Sequence, residues 1–286
     1  MNRSDYRYIE RLRVRWAEVD LQQIVFNGHY LMYIDTAVTG YWRALALPYE
    51  QSFAQLGGEL FVRKAELEYE GSARLDDLLE VGMRVLRLGN SSLVFEAAVM
   101  RDARLLVRGE LVYVYADPVA RRALPLPQPL RDLLQAYEAG EAMLEVRTGS
   151  WDELGADAQA IRRAVFVDEQ AIEAPLDTDA DDAGALHAVA RNRFGLALAT
   201  GRLLGPDDQG VARIARMAVL RPMRGAGIGG AVLHALVAAA RERGATALQL
   251  HAQDSAVPFY VRAGFTASGA PFQAAGVVHQ TMQRVL

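Results

Sequence analysis

No cysteine occurs anywhere in the 286 residues, so disulfides, thiolate metal sites and a cysteine nucleophile are all excluded. Lysine is almost missing as well: Lys64 is the only one among 31 basic residues. It sits inside the alternating run LFVRKAELEY, the setting of a solvated strand residue rather than of a Schiff-base amine. No run approaches the roughly 18 apolar residues of a membrane span. The opening MNRSDYRYIERLRVRW is charged and lacks an apolar h-region, so no secretory leader is expected. A cytoplasmic protein without a membrane span is the resulting expectation. The net charge of −4 offers no basic surplus to release counterions from nucleic acid, which argues against that partner.

What is present is enough material for two cores. With 51% hydrophobic and 23% charged side chains over 286 residues, the composition is ordinary globular material and the length calls for two domains. The segment ALPLPQPLRDLLQAYEAGEAM carries Pro125, Pro127 and Pro129 at alternate positions, which favours an extended connection, then a short helix and a break at Gly140. The expected domains are therefore residues 1–140 and 141–286.

In the first, IERLRVRW alternates as a strand reaching Trp16, and GHYLMYIDTAVTGYWRALAL puts Leu31, Ile34, Val38, Tyr41, Trp42 and Leu45 on one helical stripe. ELFVRKAELEYEG, LLEVGMRVLRLG, SLVFEAAVM and RLLVRGELVYVYA follow as strands, separated by turn residues such as Gly89-Asn90 and Arg101-Asp102. One strand, one long helix and four antiparallel strands make an α+β layout in which the sheet curls around the helix. In the second, a strand (MLEVRT), a helix (WDELGADAQAIRRAVFVDEQ) and a three-strand meander lead into the helix GIGGAVLHALVAAARERG. The strand TALQLHA, the short helix SAVPFYVRAG and the strand VVHQTMQRVL complete a mixed α/β order, with one glycine loop entering the central helix.

That loop, RPMRGAGIGG from Arg221 to Gly230, satisfies two phosphate-binding patterns at once. GAGIGG matches the dinucleotide fingerprint, but four residues separate it from its strand, TALQLHA supplies no acid for a ribose, and the preceding strands form hairpins. The same letters as R-x-x-G-x-G fit a pyrophosphate loop. Glycines let successive N–H groups turn toward one anion, the helix from about Ile228 adds its positive dipole end, and Arg224 adds a charge. Downstream, PFYVRAGF places Tyr260 four residues before Gly264-Phe265. Together, Met217 to Gly230 and Ala256 to Phe265 resemble the GNAT superfamily of acyl-CoA N-acyltransferases.

The resemblance implies that the amides of Gly225, Ala226, Gly227, Ile228, Gly229 and Gly230, with Arg224, bind the pyrophosphate of coenzyme A. It implies that Met217 and Val219 backbone groups hold the pantetheine and acetyl carbonyl, and that Tyr260 protonates the departing thiolate. Many relatives have asparagine where this chain has Gln253.

The acceptor side offers a run of acids. Asp168, Glu169, Glu173, Asp177, Asp179, Asp181 and Asp182 accumulate with no basic residue between Arg163 and Arg191. Such a loop beside an acyl site attracts a cationic amine, and the same run is also what a solvated loop looks like. DTDADDAG starts like a calcium loop, but Asp182 replaces the required glycine and Ala188 the closing glutamate, so calcium is rejected. Glu169 and His187 are candidates for deprotonating the amine or for structural roles.

In the first half the informative run is RVRWAEVDLQQIVFNGHYLMYID, Arg13 to Asp35. An acid, Asp20, follows the strand, and a loop with Asn27 and His29 opens the long helix. The first amides of that helix are unsatisfied donors at a positive dipole end, suited to polarise a thioester carbonyl. Asp20 is placed to attack that carbonyl or to activate water. His29 suits acid–base work or helix capping equally.

This run resembles the small hot-dog acyl-CoA thioesterases, the group of 4-hydroxybenzoyl-CoA and Tol-Pal-associated enzymes, over roughly residues 8–134. The resemblance implies Asp20-dependent hydrolysis, backbone N–H groups at Gly28, His29 and Tyr30 as the oxyanion site, and a homodimer or homotetramer. Gln23 stands where relatives often have glycine, and the order of Asn27 and His29 is reversed.

The expectation is a bifunctional enzyme using acyl-CoA and acetyl-CoA as substrates, with a small amine acceptor and no metal. The alternative is one catalytic domain beside a non-catalytic acyl-CoA sensor or dimerisation module.

Overall fold

The computed structural model describes residues 1–172 and 178–286. By its contacts the chain divides into two units, Met1–Met143 and Leu144–Leu286.

The first unit runs β1 (Tyr8–Arg13), α1 (Asn27–Ala44), α2 (Tyr49–Leu56), β2 (Glu59–Tyr69), β3 (Leu78–Leu88), β4 (Ser92–Arg101), β5 (Arg104–Ala116) and α3 (Gln128–Glu138). The strands form one antiparallel sheet in the order β1-β3-β4-β5-β2. Strand β4 has eight consecutive buried residues, as a central strand covered on both faces must. Helix α1 supplies one cover: Ile34, Val38, Tyr41, Trp42 and Leu45 from the expected stripe are buried, with Tyr30, Tyr33 and Ala37. Leu31 departs from the stripe and is exposed, beside the exposed Met32 and Phe26. Aromatic edges set much of the core, with Tyr41 and Trp42 both meeting Phe95 edge-on at 5.1 and 5.8 Å. Helix α2 was not anticipated, and β1 stops at Arg13 rather than Trp16. Residues Trp16–Glu18 turn as a 3-10 helix because the Glu18 carboxylate folds back onto Arg15.

The second unit runs β6 (Leu144–Gly149), α4 (Trp151–Arg162), β7 (Leu186–Asn192), β8 (Ala197–Leu204), β9 (Val211–Val219), α5 (Ile228–Glu242), β10 (Ala247–Gln253), α6 (Val257–Arg262), β11 (Thr266–Ala267), β12 (Phe272–Ala274) and β13 (Val277–Val285). The helix expected to reach Gln170 is α only to Arg162 and continues as a π-turn, Arg163–Glu169. The sheet order is β11-β13-β10-β9-β8-β7-β6, with β12 paired to β13, and every pairing is antiparallel except β9 with β10.

Two irregularities shape this sheet. Opposite β8, Thr200 pairs with Ala218 and Arg202 with Ala215, so Arg216 and Met217 together face Gly201, a β-bulge with Arg216 at φ +54°. On the other edge of β9, pairing with β10 covers only Val211–Arg213 against Ala247–Gln249, although β9 runs on to Val219 and β10 to Gln253. Past that point the two parallel strands part. Their facing N–H and C=O groups are left for something else to pair with.

Candidate active sites

The first cleft forms where the β1–α1 connection closes on the helix entrance. Glu18, 3% exposed, accepts hydrogen bonds from the Arg15 backbone N–H at 2.8 Å, Arg15 Nε at 2.7 Å and the Tyr33 hydroxyl at 2.7 Å. Burial pushes its carboxyl up, and those donors outweigh burial and hold it below its ordinary range. The Glu18 carbonyl accepts the Phe26 N–H at 2.9 Å and Val19 bridges Val25, so Asp20 lies in a tied loop. The Asp20 N–H donates to the Ile24 carbonyl at 2.9 Å, and one carboxylate oxygen accepts the Gln22 N–H at 2.8 Å. Its other oxygen has no donor among the described residues. Asp20 lines a cleft of about 570 Å³ together with Phe26, Asn27, Tyr30, Tyr69 and Ser72.

At the helix entrance, Phe26 supplies no side-chain cap. The His29 N–H donates to the Phe26 carbonyl at 2.9 Å, whereas those of Asn27 and Gly28 have no acceptor among the described residues. Of the expected trio Gly28, His29 and Tyr30, only Gly28 therefore has an amide seen to be open, and Asn27 joins it. A Cβ on Gly28 would come within 3.0 Å of the Phe26 ring, so glycine keeps the entrance clear. The buried Tyr30 hydroxyl accepts the Ala73 N–H at 2.8 Å, fixing the first turn against the chain that follows β2. His29 is outside the cleft lining: its ring meets Phe26 edge-on at 5.9 Å and Nδ1 is 3.4 Å from the Met32 sulfur.

The second cleft, about 980 Å³, occupies the gap between the parted strands. Met217 and Val219 line one side and Gln253 the other, its amide donating to Gln170 Oε1 at 3.0 Å. Helix α5 closes one end. Gly225 and Gly227 sit at φ +85° and +79°, the left-handed region that glycine enters without strain. From Gly225 through Ala226, Gly227, Ile228 and Gly229 to Gly230, no backbone N–H has an acceptor among the described residues. All of these but Ala226 line the cleft. Six consecutive open donors at a helix N-terminus are an arrangement suited to an anion. Arg224 lines it too, held by Nε to the Val219 carbonyl at 3.1 Å and by both terminal nitrogens to Glu169 at 2.7 Å.

Tyr260, on α6, lines the same cleft and is 7% exposed. Its ring packs edge-on against Phe259 and Phe265, and its hydroxyl has no hydrogen-bond partner among the described residues. Burial pushes that hydroxyl up to about 12.

The acidic run is not a free field for a cation. Asp179 is bound by Arg202 and Arg216, Asp181 by Arg202 and Arg213, and Asp182 by Arg162 and Arg202, while Glu169 holds Arg224. The arginines come from other elements, which the absence of bases within the run concealed. Glu173 and Asp177 lie outside the described residues. His187 is fully buried, with Nε2 2.9 Å from the Asp182 carbonyl and Nδ1 3.3 Å from Arg162, inside this network. Burial lowers its pKa below the ordinary histidine value.

Two features were missed by the sequence reading: Glu18 as the clamp behind Asp20, and the arginine wall of the second cleft. Among the described residues, no group of three or more histidine, aspartate or glutamate side chains gathers to hold a metal ion, and no helix is long and apolar enough to cross a membrane.

A sheet wrapped on a long helix with an acid at its entrance, and a splayed sheet with a glycine loop, define two classes: a hot-dog domain and a GNAT fold. The family model for the thioesterase superfamily matches residues 22–108, and that for the acetyltransferase (GNAT) domain matches residues 157–286. Over its second half the chain belongs to the GNAT acetyltransferase family, and over residues 22–108 its first half is similar to the thioesterase superfamily. Over 129 residues it is 35% identical to an uncharacterized N-acetyltransferase, YjcF, of Bacillus subtilis (strain 168), covering 45% of this chain and 90% of the relative. Over 131 residues it is 28% identical to the acyl-CoA thioester hydrolase YbgC of Escherichia coli O157:H7, covering 46% of this chain and 96% of the relative. A solved thioesterase from Thermus thermophilus, complexed with coenzyme A and Zn, is 26% identical at a TM-score of 0.42, covering 47% of this chain and 96% of that one.

Proposed function

We propose that the chain is a bifunctional enzyme on coenzyme A thioesters, hydrolysing an acyl-CoA in the first cleft and transferring an acetyl group to an amine in the second. The observation that carries this reading is common to both clefts. Each ends at a helix entrance whose backbone N–H groups have no acceptor among the described residues, two in the first and six in the second.

In the first cleft the thioester carbonyl takes the Asn27 and Gly28 amides, where developing negative charge meets preorganised donors. Asp20, with one oxygen steadied by Gln22, uses the other as nucleophile or to draw a proton from water. Either route breaks the C–S bond, forms a C–O bond to water's oxygen and releases a carboxylic acid and free thiol. This half works as a dimer in this reading. Strand β2 is an open edge of eleven residues carrying exposed Phe61, Val62 and Tyr69, Leu21 of the cleft lining is fully exposed, and Trp16 on the same β1–α1 connection is 80% exposed. Apolar groups on an unpaired edge call for a partner strand.

In the second cleft the diphosphate of coenzyme A lies on the Gly225–Gly230 amides, with Arg224 exchanging Glu169 for phosphate. The pantetheine runs along the unpaired edge at Met217 and Val219. A neutral amine attacks the acetyl carbon, a C–N bond forms and the C–S bond breaks. Of the two protons an ammonium acceptor gives up, one goes to solvent before attack and one ends on the sulfur. Tyr260, protonated at neutral pH because its pKa is near 12, donates a hydrogen bond to the leaving thiolate.

The test is release of free thiol from a panel of acyl-CoAs, with and without amines, from the parent chain, Asp20→Asn and Tyr260→Phe. Asp20→Asn loses amine-independent release and Tyr260→Phe slows amine-dependent release. A parent active in one assay only makes the other half a binding module; variants indistinguishable from the parent in both overturn the site assignments.

A further inference from the structure

We infer that the acceptor end of the second cleft is built for an amine that also carries a carboxylate, such as an α-amino acid. This deepens the acetyl-transfer reading and rests on it for the cleft's other occupant. Strand β9 fixes the direction: Met217 and Val219 lie next to the glycine loop, so Arg213 and Arg216, earlier on the strand, stand toward the far end, with Arg202 facing them from β8. Among the described residues, the charged groups lining the cleft besides Arg224 at the loop and Arg262 on α6 are these three arginines and two aspartates, Asp179 and Asp181.

The hydrogen bonding is one-sided. Arg202, with a side chain only 3% exposed, uses both terminal nitrogens on aspartates. Arg216 gives one terminal nitrogen to Asp179 at 2.6 Å, and Arg213 gives one to Asp181 at 3.1 Å. Their remaining nitrogens meet no acceptor among the described residues, and Arg216 Nε is buried without one there. A buried donor left without an acceptor destabilises the fold unless something accepts from it. The aspartates fix the guanidinium planes, and a ligand carboxylate supplies the missing acceptors on the other side, two-pronged as arginine recognition favours.

The backbone points the same way. Arg216 occupies the bulge at φ +54°, a left-handed conformation that strains a residue with a side chain and that glycine adopts freely. The strained residue is one that lines the cleft, and its position follows from the same bulge that accompanies the parting of the strands. His251 adds no competing cation: burial first, then Arg213 and His279, lower its pKa.

The experiment uses the whole chain with coenzyme A present and matched pairs that differ only by the carboxylate: tyrosine and tyramine, arginine and agmatine, phenylalanine and phenethylamine. Calorimetry measures binding, and acetyl transfer from acetyl-CoA is followed alongside. In at least one pair the carboxylated member binds about tenfold or more tightly, as a charge-assisted pair of hydrogen bonds requires. Arg216→Met and Arg213→Met shrink that preference toward one without weakening the decarboxylated member, and Arg216→Lys keeps part of it. Coenzyme A affinity equal to the parent's shows that each variant is folded. Equal binding within every pair, preference for the decarboxylated member, no binding of either, or variants with the preference intact overturn the inference. Selective binding with no acetyl transfer to any acceptor leaves it standing and removes the transferase reading instead.

Discussion

The two clefts present open backbone amides by different means, and the difference concerns completeness. In the second, the glycine loop, both walls of the parted strands and the arginine cluster all come from one half of one chain. In the first, Asp20 and the α1 entrance are in place, but Leu21 and Phe26 of the lining stand exposed, as does Trp16 on the same connection, and β2 has no neighbour on one side among the described strands. In the proposed reading, a site with its donors set and its apolar walls bare is half of one. The second half acts alone in this account, and the first needs another copy.

The comparison breaks most visibly at Asp20. Asp20→Asn is expected to lower amine-independent thiol release by about 10²–10⁴-fold, the usual weight of a positioned acid or base, with acetyl transfer unchanged. Comparable losses in both assays would mean that the halves are not separate sites. Next in size is the β2 edge: Phe61→Asp should shift the chain to a monomer in sedimentation and cut hydrolysis by about tenfold or more, since edge pairing supplies the missing wall, while transfer stays at the parent's rate. Tyr260→Phe should lower transfer by about tenfold, a lost hydrogen bond to charge. In the parent, the alkaline limb of transfer should show no loss near pH 10, because the phenol ionises nearer 12.

A smaller effect sharpens the comparison in stability. The Asp179 and Asp182 carboxyls are pushed up by burial, but arginine hydrogen bonds outweigh it and bring both below the ordinary range. Their stabilisation is present above the unfolded pKa of about 4 and is lost as pH falls through the lower folded values. Melting curves at falling pH should therefore show a steep loss below about pH 4 in the second half, and Asp182→Asn should flatten it.

How much of this was readable in the letters follows from how local each feature is. The loop Arg221–Gly230 and the run Arg13–Asp35 are contiguous, so their glycines and the acid could be picked out in the letters, while the roles expected of them came from the family resemblances. The main strand and helix orders of both halves followed from periodicity, apart from α2 and the short β11 and β12, and the motif resemblances supplied the hot-dog and GNAT names. Glu18 was invisible because an acid two residues before Asp20 looks like any other, and only Tyr33, fifteen residues on, reveals its burial. The arginine wall was hidden because Asp182 and Arg162, or Asp179 and Arg216, stand 20 and 37 residues apart. Read locally, the acids predicted attraction for a cation; folded, they are already matched. The bulge at Arg216 and the early end of β9–β10 pairing are matters of register, which a single strand's sequence does not encode.

The most direct measurement is the number of coenzyme A molecules bound per chain, by calorimetry, on the parent, Asn27→Pro and Gly227→Val. The account predicts two sites in the parent, with Asn27→Pro, which deletes one donor of the first entrance, and Gly227→Val, which strains the loop of the second, each weakening a different one. A single site, or one loss that follows from either substitution, would contradict it.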